Sequence, residues 1–565
     1  MAKTTGAQSF VETLQHYGIK YVFGNPGSSI ASILDSIIGH PDVNFLLGVQ
    51  EASVIGMADG YSRATGTPGV ALVHTTPGLS NSLGGIYNAY ASGIPLVVIA
   101  GNQDSKILGR TAFCESPDIT AIPRQFVKLS QEIPRADRIS EILARALRVA
   151  MARPTGPCFL SLARDLQTEE VEMELGEKQK DPFSTLLFRP EAAKVLEAAQ
   201  LLAQAVRPVL IAGYDIAKDS AYQEVVQLAE LLGCPVFGEE ITNSGGLNFP
   251  TDHPQYLGYF EPGLEVIEKA DVTMVVGKKL FAEFAYSGKP RLPRAAKIIH
   301  LHESPWEIGK LHAPRVSLQG DTKSGARDIY QALQELVHKN WAAEWTERLA
   351  ERKEEVRLYR AGRKQKLERQ AAENWNAVPI KLPRLAKEIA ALMGPGVTVV
   401  NEATRSTAAL FSYVDFHDPR SLYSCPGGYL GWGLPAALGI KLAFPERKVL
   451  AYLGDGTTLY TIQALWSAVK YHLPVVAVIC NNASYLAVKA HLNILGGNAA
   501  QTGNFEGAEL TPRVNFARVA EGFGARGYTV TEPDQIGPTL KEAFAKDEVT
   551  VIDVLLDASI PAPTR

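Results

Sequence analysis

The sequence predicts an α/β protein built from three doubly wound, parallel-sheet domains, and three observations carry that expectation. Short β-branched runs, each followed by a Gly, Pro or Asn turn and then a helix-period segment, recur along most of the chain, which is how parallel βα units read. The chain has 565 residues, whereas a single hydrophobic core stops growing near about 250 to 300 residues. About three domains are therefore expected. The rhythm also breaks twice, at the polar stretch 165–189, which has the character of a linker, and within 340–378, where NWAAEWTERLAERKEEVRLYRAGRKQKLERQ reads as a charged, solvated connecting helix. The expected units are residues 1–175, 190–340 and 376–565, with 341–375 as the linker helix.

The first unit opens with a helix in AQSFVETLQHYG, the strand YVFG, the turn Asn25 to Ser29 and a helix from Ile30. A strand at 44–48, a helix opening near Glu51 and the strand GVALVHT follow. The middle unit places strands at PVLIAG, PVFG, VTMVVG and KIIHLH. The last unit repeats the outline of the first, with strand TVVNEA, glycine-rich turn CPGGYLGWG, a helix, strand VLAYLGDG, a helix and strand VVAVICNN. A duplicated α/β plan joins the two outer units.

Composition excludes several classes. Hydrophobic residues make up 46% and charged residues 21%, and the formal net charge is −4, so nothing favours nucleic acid. The longest apolar runs, 94–100 (IPLVVIA) and 475–480 (VVAVIC), fall far short of the ~20 residues that span a bilayer and read as buried strands. The start MAKTTGAQSF lacks the apolar core of a signal peptide, which makes a cytoplasmic location the expectation. The five cysteines, Cys114, Cys158, Cys234, Cys425 and Cys480, are scattered without a CxxC pair, so neither disulfides nor a zinc site is expected. All but Cys114 read as small buried hydrophobes.

The most informative words are GDG at 454–456 and NN at 481–482, both at the carboxyl ends of apolar strands. Ligands of open α/β sheets gather at that edge. Asp455 and Asn482 are 27 residues apart (482 minus 455), one strand-helix-strand unit, which brings their side chains together. Two hard oxygen ligands suit Mg2+ or Ca2+, with the carbonyl near Ser484, water and phosphate oxygens completing the shell. Gly454 and Gly456 would let backbone amides approach a diphosphate, and a helix from about Leu459 would turn its positive end to it.

These residues resemble the thiamine-diphosphate enzyme superfamily, of the 2-oxo acid decarboxylase and acetohydroxyacid synthase type, whose fingerprint is GDG followed after a βα unit by NN. The resemblance covers essentially the whole chain, in the order pyrimidine-binding, central and diphosphate-binding domain. It implies thiamine diphosphate as cofactor. It makes Asp455, Asn482 and the Ser484 carbonyl the metal ligands, and Thr404, Arg405, Thr457, Thr458 and Tyr485 diphosphate contacts. Glu51, which could equally be a helix-opening carboxylate favoured by the macrodipole, becomes the group that activates the aminopyrimidine ring so that the C2 ylid forms. Leu430, which in isolation reads as core, becomes the wedge that bends the cofactor. Glu51 and Asp455 lie 404 residues apart (455 minus 51). The resemblance implies an active site between chains, hence a homodimer or homotetramer.

Within the superfamily the similarity is to the benzoylformate decarboxylase type. It is carried by VFGNPGSS at 22–29, QEASVIGMADGY at 50–61, the histidine of VHTTPG, FPERKVLAYLGDG at 444–456 and NNASYLAVK at 481–489. Ser28 is then expected to orient a substrate carboxylate and His74 to exchange protons near the substrate carbonyl, though a strand-end histidine alone would also explain His74. Phe113, Cys114, Phe284, Ala487 and Val488 become the substrate lining, with His491 beside them. One departure stands out: VVGKKLFAEFAY puts Phe284 where the family has a second histidine, and phenyl cannot relay a proton. Glu283 or His491 would replace it, or the intermediate would attack an aldehyde instead. The implied chemistry is addition of the ylid to a 2-oxo acid, loss of carbon dioxide, and protonation of the enamine or its capture by a second carbonyl. An acetolactate-synthase-like carboligase is the nearest alternative, suggested by LGWGLPAALG and AFCES, and such synthases usually carry flavin in the central domain. A 2-hydroxyacyl-CoA lyase and a non-catalytic cofactor-binding subunit are the others.

Overall fold

The computed structural model describes residues 2–560 except 174, 177–180, 184–186, 241–244, 282–287 and 341. Three six-stranded sheets, each wholly parallel, carry the architecture. The first lies, edge to edge, as Asn44–Leu47, Tyr21–Gly24, Gly69–His74, Leu96–Asn102, Cys158–Ala163 and Leu129–Ile133. The last lies as Leu422–Ser424, Val397–Glu402, Lys448–Gly454, Val475–Asn481, Thr550–Leu555 and Arg526–Val530. Numbered along the chain within each sheet, both have the order 2-1-3-4-6-5, so the duplicated plan extends to strand topology. The central sheet differs. Its strands Tyr256–Tyr259, Val236–Gly238, Pro208–Ala212, Val272–Val276, Lys297–His302 and Val316–Gln319 have the order 3-2-1-4-5-6.

The middle strands form where the apolar runs are unbroken. In Leu96–Asn102 and Val475–Asn481 every residue is buried, as a sheet covered by helices on both faces requires. The first and last domains share one core, in which Val54, Ile55 and Met57 of helix Glu51–Thr65 join Leu434, Ala437 and Leu438 of helix Gly433–Ala443. The two helices touch through glycines. A Cβ on Gly60 would stand 2.3 Å from the Ala436 carbonyl oxygen, and one on Gly439 would stand 2.1 Å from that of Met57. Beside this crossing, Arg63 ties three domains together. Its Nε donates to Asp59 Oδ1 (2.5 Å), and its Nη1 donates to the Tyr214 hydroxyl (3.0 Å) of the central domain and to the Ser424 carbonyl (3.1 Å) of the last. Trp432 Nε1 donates to the same Asp59 oxygen (2.6 Å).

Two readings of the sequence need correction here. The polar stretch 165–189 is not wholly linker: Glu170–Met173 pairs antiparallel with Ala2–Thr5 and closes the first domain with a two-stranded ribbon. Four residues of EVEM are too short and too charged to announce themselves as a strand. The helix Ala342–Glu373 exists but is not solvated all round. Trp345 and Val356 are buried, and the Arg352 side chain is buried as it donates to the carbonyls of Leu232 (2.8 Å) and Ala205 (2.5 Å) at the ends of two central-domain helices. Among the described residues no helix is long and apolar enough to cross a membrane.

Candidate active site

In sheets of order 2-1-3-4-6-5 the crevice for a ligand lies where strands 1 and 3 run side by side and their connections leave in opposite directions. In both outer domains the candidate residues stand at that crevice.

In the first domain the turn Asn25 to Ser29 leaves strand 1, and His74 ends strand 3. Glu51 is the first residue of helix Glu51–Thr65, whose Gln50 cap accepts from the Ser53 amide at 3.0 Å. Only 7% of Glu51 is exposed. Its Oε1 accepts from Asn25 Nδ2 (3.0 Å) and its Oε2 from Asn81 Nδ2 (3.1 Å), so both oxygens are fixed by neutral donors. His74 Nδ1 lies 2.8 Å from Ser29 Oγ. The serine that meets the histidine is therefore Ser29, whereas Ser28 is exposed at the head of the short turn Ser28–Ile30. Gly27 is required at this contact, because a Cβ there would stand 2.2 Å from His74 Nδ1. Thr75 follows His74 with φ +40° and is buried with its hydroxyl unpartnered. Left-handed backbone at a non-glycine residue costs of order 1 to 3 kcal/mol and concentrates at functional sites.

In the last domain Gly454 caps a helix that begins at Asp455, four residues before the expected start near Leu459. The Thr457 hydroxyl donates to the carbonyls of Glu402 (3.0 Å) and Gly454 (2.9 Å), and that of Thr458 donates to Gly454 (2.7 Å). These bonds tighten the first turn and engage both hydroxyl protons, which leaves the main chain as the anion-binding element of this segment. Asp455 Oδ1 accepts from the Gly456 amide (2.8 Å), while Oδ2 is buried without a partner. Burial raises the Asp455 pKa, and the amides of Gly456, Ala483, Ser484 and Asn482 oppose it, which shows the 482–484 turn facing the carboxylate. Ala483, between Asn482 and Ser484, has φ +53°. Asn482 Oδ1 accepts from the Ser484 amide and hydroxyl, both at 3.0 Å. A buried carboxylate oxygen without a hydrogen-bond partner, facing the turn that carries Asn482, suits a hard cation. Among the described residues no group of three or more His, Cys, Asp or Glu side chains is arranged to hold a metal ion.

Gly456 makes room for Tyr485, whose ring would lie 2.5 Å from a Cβ there, whereas a Cβ on Gly454 would meet nothing nearer than 3.5 Å. Thr404 and Arg405 are exposed on the turn after strand 1, Thr404 with φ +43°. Leu430 is half-buried on the glycine-rich turn before helix Gly433–Ala443. Strand 1 ends at Glu402, which the sequence reading passed over. Its carboxylate accepts from the amides of Gly431 (2.9 Å), Trp432 (3.0 Å) and Gly433 (2.8 Å). Burial pushes its pKa up to about 7 against the pull of those amides.

The lining residues are divided. Ala487, Val488 and His491 are exposed on helix Leu486–Leu495. Phe113, 77% exposed, and Cys114, with φ +61°, belong to the first domain. Phe284 and Glu283 lie outside the described residues. All five cysteines are unpaired; Cys425, read as buried, is half-buried, with Arg63 Nη2 3.7 Å from its sulfur.

Comparison with known proteins identifies the three domains. The N-terminal TPP binding domain of thiamine pyrophosphate enzymes matches residues 4–122, their central domain residues 195–334 and their C-terminal TPP binding domain residues 402–554. Benzoylformate decarboxylase of Pseudomonas aeruginosa is 29% identical over 98% of both chains. A probable acetolactate synthase large subunit of Methanococcus aeolicus is 27% identical over 98% of this chain and 92% of its own. The solved thiamine diphosphate-dependent 4-hydroxybenzoylformate decarboxylase of Rhodococcus jostii RHA1 superposes with a TM-score of 0.83 at 27% identity, covering 99% of this chain and 100% of that one.

Proposed function

Because this chain belongs to the thiamine pyrophosphate enzyme family, we propose that it decarboxylates a 2-oxo acid of the arylglyoxylate type, with carboligation to an aldehyde as a second outcome. The observation that carries the reading is the division of labour between equivalent crevices. One presents proton-handling groups, Glu51 and His74, and the other presents cation- and anion-binding groups, Asp455 and the helix it opens.

When bound, thiamine diphosphate supplies a carbon nucleophile and a sink for the electron pair that carbon dioxide leaves behind. Asp455, Asn482 and the Ser484 carbonyl would hold a divalent cation, Mg2+ or Ca2+, and the amides following Gly454 would hold the diphosphate. Glu51, oriented through Asn25 and Asn81, holds or releases the proton at the aminopyrimidine ring. His74, fixed at Nδ1 by Ser29, exchanges a proton with substrate oxygen through Nε2. Ser28 stands exposed on the same turn, where a substrate carboxylate can reach it.

The site is read as shared between two chains, because the groups meant to enclose substrate lie on open surface. Phe113, Leu459, Tyr460, Val488, Ile494 and Leu495 are all exposed apolar residues. Among the described residues, tight packing at the switch point of the central domain favours decarboxylation over a flavin-bearing synthase. At its switch point, Gly213 donates to the Val276 carbonyl (2.8 Å) and Asp215 to that of Gly277 (3.0 Å), and a Cβ on Gly213 would stand 2.3 Å from the Gly277 oxygen. Beside it, half-buried Arg153 and Lys218 form ion pairs with buried Asp219 and Glu303.

The test is to offer the enzyme, with thiamine diphosphate and Mg2+, benzoylformate, pyruvate and branched 2-oxo acids, with and without benzaldehyde. Carbon dioxide and products are followed by mass spectrometry. Turnover of an aryl 2-oxo acid by the wild type and its loss in Glu51→Gln support the reading; acetolactate from pyruvate as the dominant product would overturn it.

A further inference from the structure

The reading of Leu430 as the cofactor's wedge leaves open what keeps one apolar side chain in place on a turn rich in glycine. Both peptide neighbours of Leu430 are gripped, from opposite sides and by different domains. Tyr429 is held by Asn88 of the first domain, whose Nδ2 donates to the Tyr429 carbonyl (2.8 Å) and whose Oδ1 accepts from the Tyr429 amide (3.0 Å). Asn88 is 1% exposed, and a Cβ on Gly427 would stand 2.2 Å from its Oδ1, so the side chain fills its slot. On the other side Glu402 takes the amides of Gly431, Trp432 and Gly433 in one carboxylate, and the Thr461 hydroxyl donates to the Gly431 carbonyl at 2.7 Å. Gly431 has φ +93°, and a Cβ there would stand 2.6 Å from Tyr460 Cβ, so this turn has no room to rearrange.

We infer that Asn88 and Glu402 are positioning residues that act through Leu430, clamping the turn 429–433 so that the wedge is preformed before the cofactor arrives. The inference rests on the wedge reading given above. Two features suit the pair to this task rather than to general packing. Asn88 satisfies both hydrogen-bonding groups of one peptide residue, as a strand neighbour would, on a segment with no strand. Glu402 collects three amides at the start of helix Gly433–Ala443, donors that lack partners within the helix. Glu402 also reaches the diphosphate segment, since its carbonyl accepts from Thr457. Asn81, which holds Glu51, sits seven residues before Asn88 on helix Thr75–Ser92, two turns away and on the same face. A single helix therefore orients both the activating carboxylate and the wedge.

The test uses Glu402→Gln, which keeps size and removes the charge, and Asn88→Asp, which keeps one acceptor and removes the donor. Two signals are read. In cofactor-free protein, amide hydrogen exchange of the peptide spanning 427–435 should rise at least about tenfold in each variant, with exchange of helix Thr75–Ser92 unchanged. In protein loaded with thiamine diphosphate and Mg2+, deuterium exchange at the cofactor's C2 should slow by about tenfold or more. Leu430→Ala should slow it similarly, and Leu430→Ala combined with Glu402→Gln should be no slower than Leu430→Ala alone. Unchanged amide exchange at 427–435, or a double variant showing the full product of the two losses, would overturn the clamp. Wild-type C2 exchange in Leu430→Ala would overturn the wedge reading itself, and the clamp with it.

Discussion

Gly27→Ala isolates the role of the His74 contact, because its backbone is ordinary and its crowding is not. Gly27 has φ −130° and ψ 176°, extended geometry that alanine adopts freely, so no conformational penalty enters. The added methyl would sit 2.2 Å from His74 Nδ1, and ordinary contact begins near 3.4 Å, so the ring must retreat by about 1.2 Å, the difference of the two. That retreat breaks the 2.8 Å bond to Ser29, a loss of about 1 kcal/mol, and swings Nε2 away from the substrate. A misplacement of about 1 Å in a catalytic group costs on the order of a hundredfold. The expected result is therefore a fall in kcat of about a hundredfold on the accepted 2-oxo acid, with cofactor affinity unchanged and the melting temperature lowered by only a few degrees. Steady-state release of carbon dioxide across a substrate series measures it, with thermal unfolding as the control. A variant within twofold of wild-type kcat would refute the assignment of His74 as a proton-exchanging group.

Three further outcomes are expected. Asp455→Asn should raise the Mg2+ concentration for half-maximal activity at least about a hundredfold; an unshifted titration would remove Asp455 from the cation site. Gly60→Ala should destabilise the protein by about 1 to 3 kcal/mol or more despite alanine's better helix propensity, because its methyl meets the Ala436 carbonyl at 2.3 Å. A melting temperature at or above wild type would show that the two helices can part. His300 is buried in the central sheet, with Nε2 2.9 Å from the Lys278 carbonyl, and burial pushes its pKa down to about 4. The folded protein then binds fewer protons than the unfolded chain between pH 6.5 and 4. Stability should fall as pH drops through that window, by up to about 3 kcal/mol from this residue. Urea midpoints at pH 7, 5.5 and 4.5 that fall equally in wild type and His300→Gln would exclude His300 as the source.

What was legible in the chain was whatever local chemistry announces. The strands before GDG and NN are unbroken apolar runs, so their ends, and the oxygens standing there, could be placed without a structure. Glu51 was legible as the carboxylate that opens a helix after a strand, and its chemical role came only from the family resemblance. The partners that make those residues functional were not legible, since hydrogen bonds between distant side chains leave no periodic trace. Asn25 and Asn81 reach Glu51 from 26 and 30 residues away, and Asn88 reaches Tyr429 from 341 away. Asparagines are common in turns and on helices, and nothing in the words NPGSS or IYNAYAS marks these as holders of a carboxylate or a peptide. Ser29 rather than Ser28 meets His74 because the short turn rotates one serine inward, a choice adjacent identical residues cannot signal. The helix at Asp455 starts early because Asp455, Gly456, Thr457 and Thr458 are buried, and tertiary packing overrides the poor helix propensity of a GDGTT segment.

The Arg63 junction bears on how such an enzyme can be re-engineered. Three domains with separate sheets invite treatment as interchangeable cassettes, to be traded between relatives to alter substrate range. Yet one guanidinium of the first domain finishes its hydrogen bonds on Tyr214 of the second and Ser424 of the third, with Trp432 completing the Asp59 carboxylate. A chimera that replaces Tyr214 or Trp432 without a substitute would leave a buried Arg63 N–H without its acceptor or the Asp59 carboxylate without one of its donors. Recombination between family members should therefore succeed best when Asp59, Arg63, Tyr214 and Trp432 travel as one inherited set, Ser424 contributing only a main-chain carbonyl that any residue supplies.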